Sequence, residues 1–564
     1  MIINSFLTLT QIIIVNSTAV ITYNVVVPPD LASHVVGVAI NDDIYPLTAN
    51  PDAPMLYSGN APGETSYRYV IVDSLENKVL LDFEKFQRPA INTLDRTYNE
   101  VFGRAWNQLS LPSIPKMYDY PYPVPESKLF EEGTIASIHF RADQAEVDKM
   151  HTQFQDEIKV KGVLTYINYD SVQTFDNVKI KIGGHSTRNW AKVPYKVKIS
   201  KKSSADGLYG RHQFKLRSEA TDPTMVREKL YADMLTSMGV ITSKGTYARF
   251  YINDRSIGIF LLVDNIASKE FVRETVHANE DVELGTLVKG DAGKGDFAAN
   301  LNFVGPNPLL YDPKTYEVKS EIEPEGTAMQ LLIDFMSFIQ GYQPTTNEAD
   351  IKAFSARIDM TSFMRSMVLE WLTGNWDGHA YSGNNYALYQ HPTSMQYLYL
   401  PMDFDFTFGN GLEKDQDAIA TGKVDEFTQN RPVHSFLYDK VMRIPAFQEM
   451  YNTILYDAIT KVFNLEVTEP RMNALTYMLQ HEVNWDHSLK RQSVGIHQAR
   501  LDIDYLATFD QGTGDIDMTY GLREWIKLKE QVVKIQFGLI PAPAVPTPEV
   551  SAGAETDVTK NPVA

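Results

Sequence analysis

The sequence predicts an α+β protein: a small N-terminal β-sandwich followed by a larger mixed domain whose C-terminal part is helical. Three patterns carry that expectation. Residues 20–85 form short apolar runs split by turn signals such as Asn41-Asp42-Asp43 and Asn50-Pro51. Val178, Ile180 and Ile182 alternate with Lys179 and Lys181, as in a strand with one buried face. Met364, Met367, Val368, Trp371 and Leu372 recur at helical spacing inside 327–373, and 434–532 also reads as mainly helical.

Composition bounds the function. The chain has 564 residues, 43% apolar and 22% charged, which excludes collagen, a mostly disordered chain and a polytopic membrane protein. Asp and Glu number 71 against 52 Lys and Arg, so the formal net charge is −19. Nucleic acid is not an expected partner, because phosphate contacts need a basic face. There is no cysteine, which removes disulfides, thiolate metal sites and cysteine nucleophiles together.

Residues 1–19 read as a signal peptide, apolar through Val15 with Ser17 and Ala19 at the −3 and −1 positions of a cleavage site. The competing reading is a first β-strand, since no Lys or Arg precedes Arg68. A secreted or cell-surface location follows from the first reading. No later apolar stretch is long enough for a transmembrane segment. Strands are expected at Ile21–Val27, His34–Ala39, Thr65–Val72 and Lys78–Leu81. The prolines of 86–130 suggest an extended connector, with Tyr118, Tyr120 and Tyr122 packed on a neighbouring domain. The mixed domain is assigned 131–535. In it, Val178–Ile182 ends at Gly183-Gly184, a polar loop His185–Asn189 follows, and Tyr195, Val197 and Ile199 face opposite Lys196 and Lys198. Asp222-Pro223 opens a helix. Thr246–Ile252 and Ile257–Val263 form a hairpin. The Pro/Ala/Thr-rich stretch 536–564 is expected to be disordered.

The densest chemical signal lies between Met364 and Gly409. A helix stops at Thr373-Gly374-Asn375, and then come Trp376-Asp377-Gly378-His379 and Asn384-Asn385. Tyr386–Tyr389 and Tyr397–Leu400 form a hairpin, which leads into Pro401-Met402-Asp403-Phe404-Asp405-Phe406. A hairpin brings its ends together. Asp377 and Asn385 should therefore meet Asp403 and Asp405, which project from one face of an extended segment while Phe404 and Phe406 anchor the other. Three carboxylates and an amide suit Mg²⁺ or Mn²⁺. Such an ion held by few protein oxygens suits phosphoryl transfer, with nucleotide phosphates completing its shell. The order of parts matches a protein kinase: glycine turn, strand lysine, helix, loop Asp, Asn, and Asp near Phe-Gly. The spacing departs from it, since the fifth residue after Asp377 is Ser382, and neither GxGxxG nor Asp-Phe-Gly occurs.

The stretches GGHSTRNWAKVPYKVKI, KLRSEATDPTMVREKLYADMLTSMGV, ARFYINDRSIGIFLLVD, NWDGHAYSGNNYALY and YLPMDFDFTFG resemble the CotH family, the spore-coat protein H kinases of bacteria and their relatives in mucoralean fungi. The leading β-rich region resembles the fungal branch. The resemblance implies an atypical protein-kinase-like fold that transfers the ATP γ-phosphate to Ser or Thr of a protein, its own chain included. It implies Asp377 as catalytic residue, and Asn385, Asp403 and Asp405 as the metal set. Lys196 or Lys198 would contact nucleotide, Glu228 would pair with that lysine although Arg227 fits the family pattern better, and Asp264 would lie near the adenine. The fungal branch also implies a surface invasin that binds a host-cell receptor through the loop near 379–396. His481-Glu482 with His487 lacks the HExxH spacing and is expected to decorate a helix. The acidic Glu413, Asp415 and Asp417, the Lys201-Lys202 pair and the Gly290–Gly295 loop are expected to be solvated or flexible.

Overall fold

A computed structural model describes residues 19–541, except 32–33, 64, 75–78, 92–93, 280, 293–297, 323, 413–416, 429–430, 496, 498–503 and 513–519. The signal-peptide reading of 1–19, apart from Ala19, thus lies outside the described residues, as do Lys78, Glu413, Asp415, Gly293, Gly295 and nearly all of the tail 536–564.

The N-terminal region folds as two four-stranded sheets. One runs Thr48–Ala49, Leu56–Pro62, Val20–Val26, Arg96–Val101, and the other Asp43–Pro46, Val35–Ile40, Tyr67–Val72, Leu80–Phe83. Strand alternation sends Ile21, Tyr23 and Val25 from the first and Val38, Tyr69 and Ile71 from the second into one core. The strand Arg96–Val101 lies inside 86–130, so that stretch begins as part of a sheet rather than as a connector. Beyond it the chain runs against the helices: the Tyr118 hydroxyl donates to Asp457 at 2.8 Å, and Tyr120 and Tyr122 pack on a buried apolar cluster.

Seven strands then close a barrel in the order Val160–Asn168, Ser171–Ile182, Tyr195–Lys198, Gln213–Arg217, Arg255–Asp264, Gly245–Ile252, Ile135–Ala142. The alternation read in the sequence has a direct consequence here. Val178, Ile180, Tyr195, Val197, Phe214 and Leu216 fill the barrel. Their neighbours therefore point outward, and register aligns Lys181 with Lys196 and Lys196 with Lys215. A basic row is thereby set on the barrel's outer face.

The helix expected after Asp222-Pro223 is Arg227–Ser237. It starts later than expected because Asp222 Oδ2 accepts the backbone N–H groups of Val226 and Arg227 from a preceding turn. Its Leu230, Tyr231, Met234 and Leu235 join the core of the helical part, which also takes in Thr327–Gly341, Met360–Thr373, Pro445–Lys461, Leu465–Ser488 and Leu522–Gln536. A four-stranded antiparallel sheet, Tyr316–Ser320, Leu287–Gly290, Tyr386–Gln390, Tyr397–Pro401, packs there too. Asp359 caps Met360–Thr373 through the Thr361 and Ser362 N–H groups, and Gly374, at φ 61°, ends it. Among the described residues no helix is long and apolar enough to cross a membrane.

Candidate active site

The site forms where the hairpin Tyr386–Gln390/Tyr397–Pro401 closes. Tyr386 pairs with Pro401, and the Met402 N–H donates to the Asn385 carbonyl at 3.0 Å, which sets Asn385 beside Asp403. Both adopt positive φ, 57° at Asn385 and 66° at Asp403, a conformation Asn and Asp tolerate better than most side chains. Phe404 then turns inward and stacks on Tyr231 at 4.2 Å, while Phe406 packs on Trp376 at 4.8 Å. With those rings anchored, Asp403 and Asp405 both come to Arg217, although Asp403, at positive φ, is not in the extended conformation the spacing argument assumed.

Asp377 is held from two sides. Its Oδ1 accepts from Asn384 Nδ2 at 2.9 Å and its Oδ2 from Asn385 Nδ2 at 2.8 Å. Burial, with Asp403 and Asp405 adding negative potential, pushes its carboxyl up to about 7 despite those two hydrogen bonds. The loop carrying Asp377 hangs on a residue the sequence reading missed. Glu370, buried in Met360–Thr373, accepts the N–H groups of His379 and Ala380 and the Tyr399 hydroxyl. A Cβ at Gly378 would come within 2.8 Å of Glu370 Oε2, so the Asp-Gly pair has a steric reason.

Arg217 was also missed, and it is the centre of the charge cluster. Its guanidinium donates to Glu228 Oε2 at 2.8 Å, hydrogen-bonds Asp403, and lies 3.4 Å from Asp405 Oδ1. Asp405 also accepts from Thr221 at 2.6 Å. Burial raises Asp403, but Arg217 and Lys215 outweigh it and bring its carboxyl down to about 2. Burial wins at Asp405, lifted to about 6, and at Glu228, lifted to about 7. Glu219, buried and without a hydrogen-bond partner among the described residues on either oxygen, is pushed well up by burial and by Glu228.

The lysines divide differently from expectation. Lys198 is half exposed and pairs with Glu270 at 3.0 Å, away from the carboxylates. Lys196 is half-buried under the Gly183 turn, where a Cβ would meet its Cγ at 3.4 Å. Burial and the cations Lys215 and Lys181 lower it to about 7. Lys215, unmarked by the sequence reading, is the strand lysine that feels Asp403; burial lowers it to about 8. Its signal was available, since Lys215 and Arg217 alternate with Phe214 and Leu216. Two further expectations are corrected. Glu228 pairs with Arg217 rather than with Lys196 or Lys198, while Arg227 serves Asp222 at 2.6 Å. Asp264, expected near the adenine, lies buried and paired with Arg211 at 2.8 Å.

A small cavity joins this cluster to the polar loop, lined by Thr187, Pro194, Arg217, Glu219, Thr221 and Asp405. Among the described residues no three acidic or histidine side chains form a ready metal cage. The oxygens of Asp403, Asp405 and Asn385 are nevertheless hard donors of the kind Mg²⁺ or Mn²⁺ takes. Of the stretch 379–396, only Thr393, Ser394 and Met395 are exposed. His481-Glu482 does not merely decorate its helix: Glu482 is buried and takes two hydrogen bonds from Arg249, at 2.6 and 3.0 Å.

Comparison with known proteins adds the lineage. The family model "CotH kinase protein" matches residues 180–516, more than half of the chain. The chain is 26% identical to "Invasin CotH3" of Rhizopus delemar over 550 residues, spanning 94% of this chain and 86% of that relative. It is 27% identical to "Spore coat protein homolog 1" of the same organism, spanning 90% and 81%. With "Inner spore coat protein H" of Bacillus subtilis the identity is 21%, spanning 53% and 75%. Among solved structures, the Helicobacter pylori proinflammatory kinase CtkA aligns over 50% of this chain and 94% of its own at 12% identity, with a TM-score of 0.20. On the family match and the order of the motifs, this chain belongs to the CotH kinase protein family.

Proposed function

We propose that the chain is a secreted or cell-surface protein kinase that moves the γ-phosphate of ATP to a Ser or Thr hydroxyl. The observation that carries this reading is the arrangement around Asp377. Two amides fix its carboxylate, and it feels Asp403 and Asp405 from the adjoining hairpin end. In the reaction the substrate hydroxyl oxygen bonds to the γ-phosphorus and the bond to the β-phosphate oxygen breaks, leaving ADP. Asp377 orients that hydroxyl and takes its proton. Lys215 and Lys196, on the barrel face above, offset charge on the phosphates. Asp403, Asp405 and Asn385 would hold Mg²⁺ or Mn²⁺, which would supply positive charge against the phosphates. Arg217 keeps Asp403 ionised for that role and is the group that an arriving cation must displace or share.

The test is transfer of labelled γ-phosphate to a Ser-rich acceptor in Mg²⁺ or Mn²⁺, with Asp377→Ala as control. Loss of a positioned base lowers the rate by about 10²–10⁴. Full activity in a normally folded Asp377→Ala protein would sink the assignment. Asp403→Ala should weaken metal-dependent ATP binding more than Asp377→Ala does, and equal affinities would refute the metal role. The printed names of the Rhizopus relatives favour a second reading, a surface adhesin with a host receptor. Binding through the 379–396 stretch would have to use its exposed tip, Thr393–Met395.

A further inference from the structure

A groove of about 960 Å³ lies away from the carboxylate cluster. It opens on the same outer face of the barrel, further along the strands. Six exposed lysines line it: Lys161, Lys179, Lys198, Lys201, Lys202 and Lys269. Arg273 brings the cationic side chains to seven, against the two carboxylates Asp176 and Glu270. Glu270 is already occupied by Lys198. Lys161, Lys179, Lys201, Lys202 and Lys269 form no ion pair among the described residues. In a chain of net charge −19, so local a basic surface is complementary in charge to an anionic partner.

Register gives the groove its geometry. Lys161 pairs with Lys179, and Lys179 with Lys198, making a second basic row. Two residues along the same strands runs the row Lys181, Lys196, Lys215, whose last member feels Asp403. Residues two apart on a strand are about 7 Å apart, and neighbouring strands about 4.8 Å. An extended polypeptide with acidic side chains at alternate residues repeats at that same ~7 Å spacing. The lining does not suit a purine, which takes an apolar slot. Its one aliphatic side chain, Ile199, is buried.

We propose that this groove docks an acidic segment of the protein substrate and leads it toward the carboxylate cluster. The role as a substrate site rests on the kinase reading; the binding of acidic peptide does not. The experiment uses the full chain and a labelled peptide in which Glu alternates with Ser and Gly, with a Gln-for-Glu peptide as control. Binding is compared in wild type, in Lys161→Glu/Lys179→Glu and in Lys202→Glu, each checked by melting. The Glu peptide should bind wild type at least about tenfold more tightly than the Gln peptide and weaken as salt rises. The double variant should lose about tenfold in peptide affinity while keeping its metal-dependent ATP affinity. Unchanged peptide affinity in both variants overturns the proposal. So does displacement of the peptide by a non-hydrolysable ATP analogue, which would give the groove to the nucleotide. Preference for a sulfated oligosaccharide over the Glu peptide would also overturn it. If γ-phosphate transfer is absent but peptide binding behaves as stated, the kinase reading fails and the acidic-segment site stands.

Discussion

In the N-terminal sheets Arg88 faces Glu84 and Glu100; in the cleft Arg217 faces Glu228, Asp403 and Asp405. Both arginines are buried, yet their surroundings differ in one respect. Around Arg88 every carboxylate is closed by further donors: the Tyr67 and Tyr69 hydroxyls reach Glu100, and the Tyr69 and Gly103 N–H groups reach Glu84. Around Arg217 the carboxylates are not all closed in this way. Glu219 has no hydrogen-bond partner among the described residues, and burial leaves Asp405, Glu228 and Asp377 lifted into the range of about 6 to 7. A closed network of buried charge holds strands together, whereas an over-acidic one takes up protons more readily and would be relieved by a further cation.

The largest test of that contrast replaces each arginine by methionine. Arg88→Met strands two carboxylates in a dry core and should cost about 3–5 kcal/mol, read by denaturant unfolding. Arg217→Met should cost a similar amount, but millimolar Mg²⁺ or Mn²⁺ should restore part of the loss there and none at Arg88. Equal restoration at both sites, or at neither, would break the comparison. Next in size is Gly378→Ala. The new methyl meets Glu370 and Asn375 at 2.8–2.9 Å and should cost about 1–3 kcal/mol, with slower phosphate transfer.

Glu370 sharpens the contrast, being a buried carboxylate with no cation partner among the described residues. Burial lifts it to about 7 despite the donors it accepts from. Its folded-state value thus lies above its unfolded value, so between about pH 4.5 and 7 the folded chain binds more protons than the unfolded one. Its contribution to stability is present at low pH and is lost as pH rises through about 7. Glu370→Gln should flatten that part of the pH–stability curve and cost on the order of 1 kcal/mol at low pH. An unchanged slope would mean that the carboxylate is not the titrating group. The smallest effect belongs to Lys198→Ala. It removes a pair between the half-exposed Lys198 and the largely buried Glu270 and should cost about 1 kcal/mol, with ATP affinity less affected than by Lys215→Ala.

Strand and helix placement was legible wherever one face is buried, because alternation and helical spacing are imposed by burial itself. Val20–Val26, Gly245–Ile252 and Met360–Thr373 fall within a few residues of expectation, and Ser171–Ile182 ends where expected but starts seven residues earlier. The start of Arg227–Ser237 was not legible, since it depends on Asp222 capping from outside the helix. The meeting of Asp377, Asn385, Asp403 and Asp405 was readable, because a short hairpin leaves little choice about which residues adjoin its open end. The pairings of Arg217, Lys215 and Glu370 were not, since they form only when separate elements pack: Glu228 for Arg217, Asp403 for Lys215, and His379, in the loop beyond the helix end, for Glu370.

The sequence by itself determined the two-part α+β plan, the absence of cysteine chemistry, and a hairpin that gathers four oxygen-bearing side chains. Local spacing and burial periodicity suffice for those. Only the tertiary structure decided which cation governs the cluster. Closing the barrel turns Lys179, Lys181, Lys196, Lys198, Lys215 and Arg217 to its outside, and the packing of Arg227–Ser237 and the hairpin end then selects Arg217 and Lys215 to face Asp403 while Lys198 turns to Glu270. Charge pairing depends on distance and on the water excluded around it, and neither is written in the order of residues.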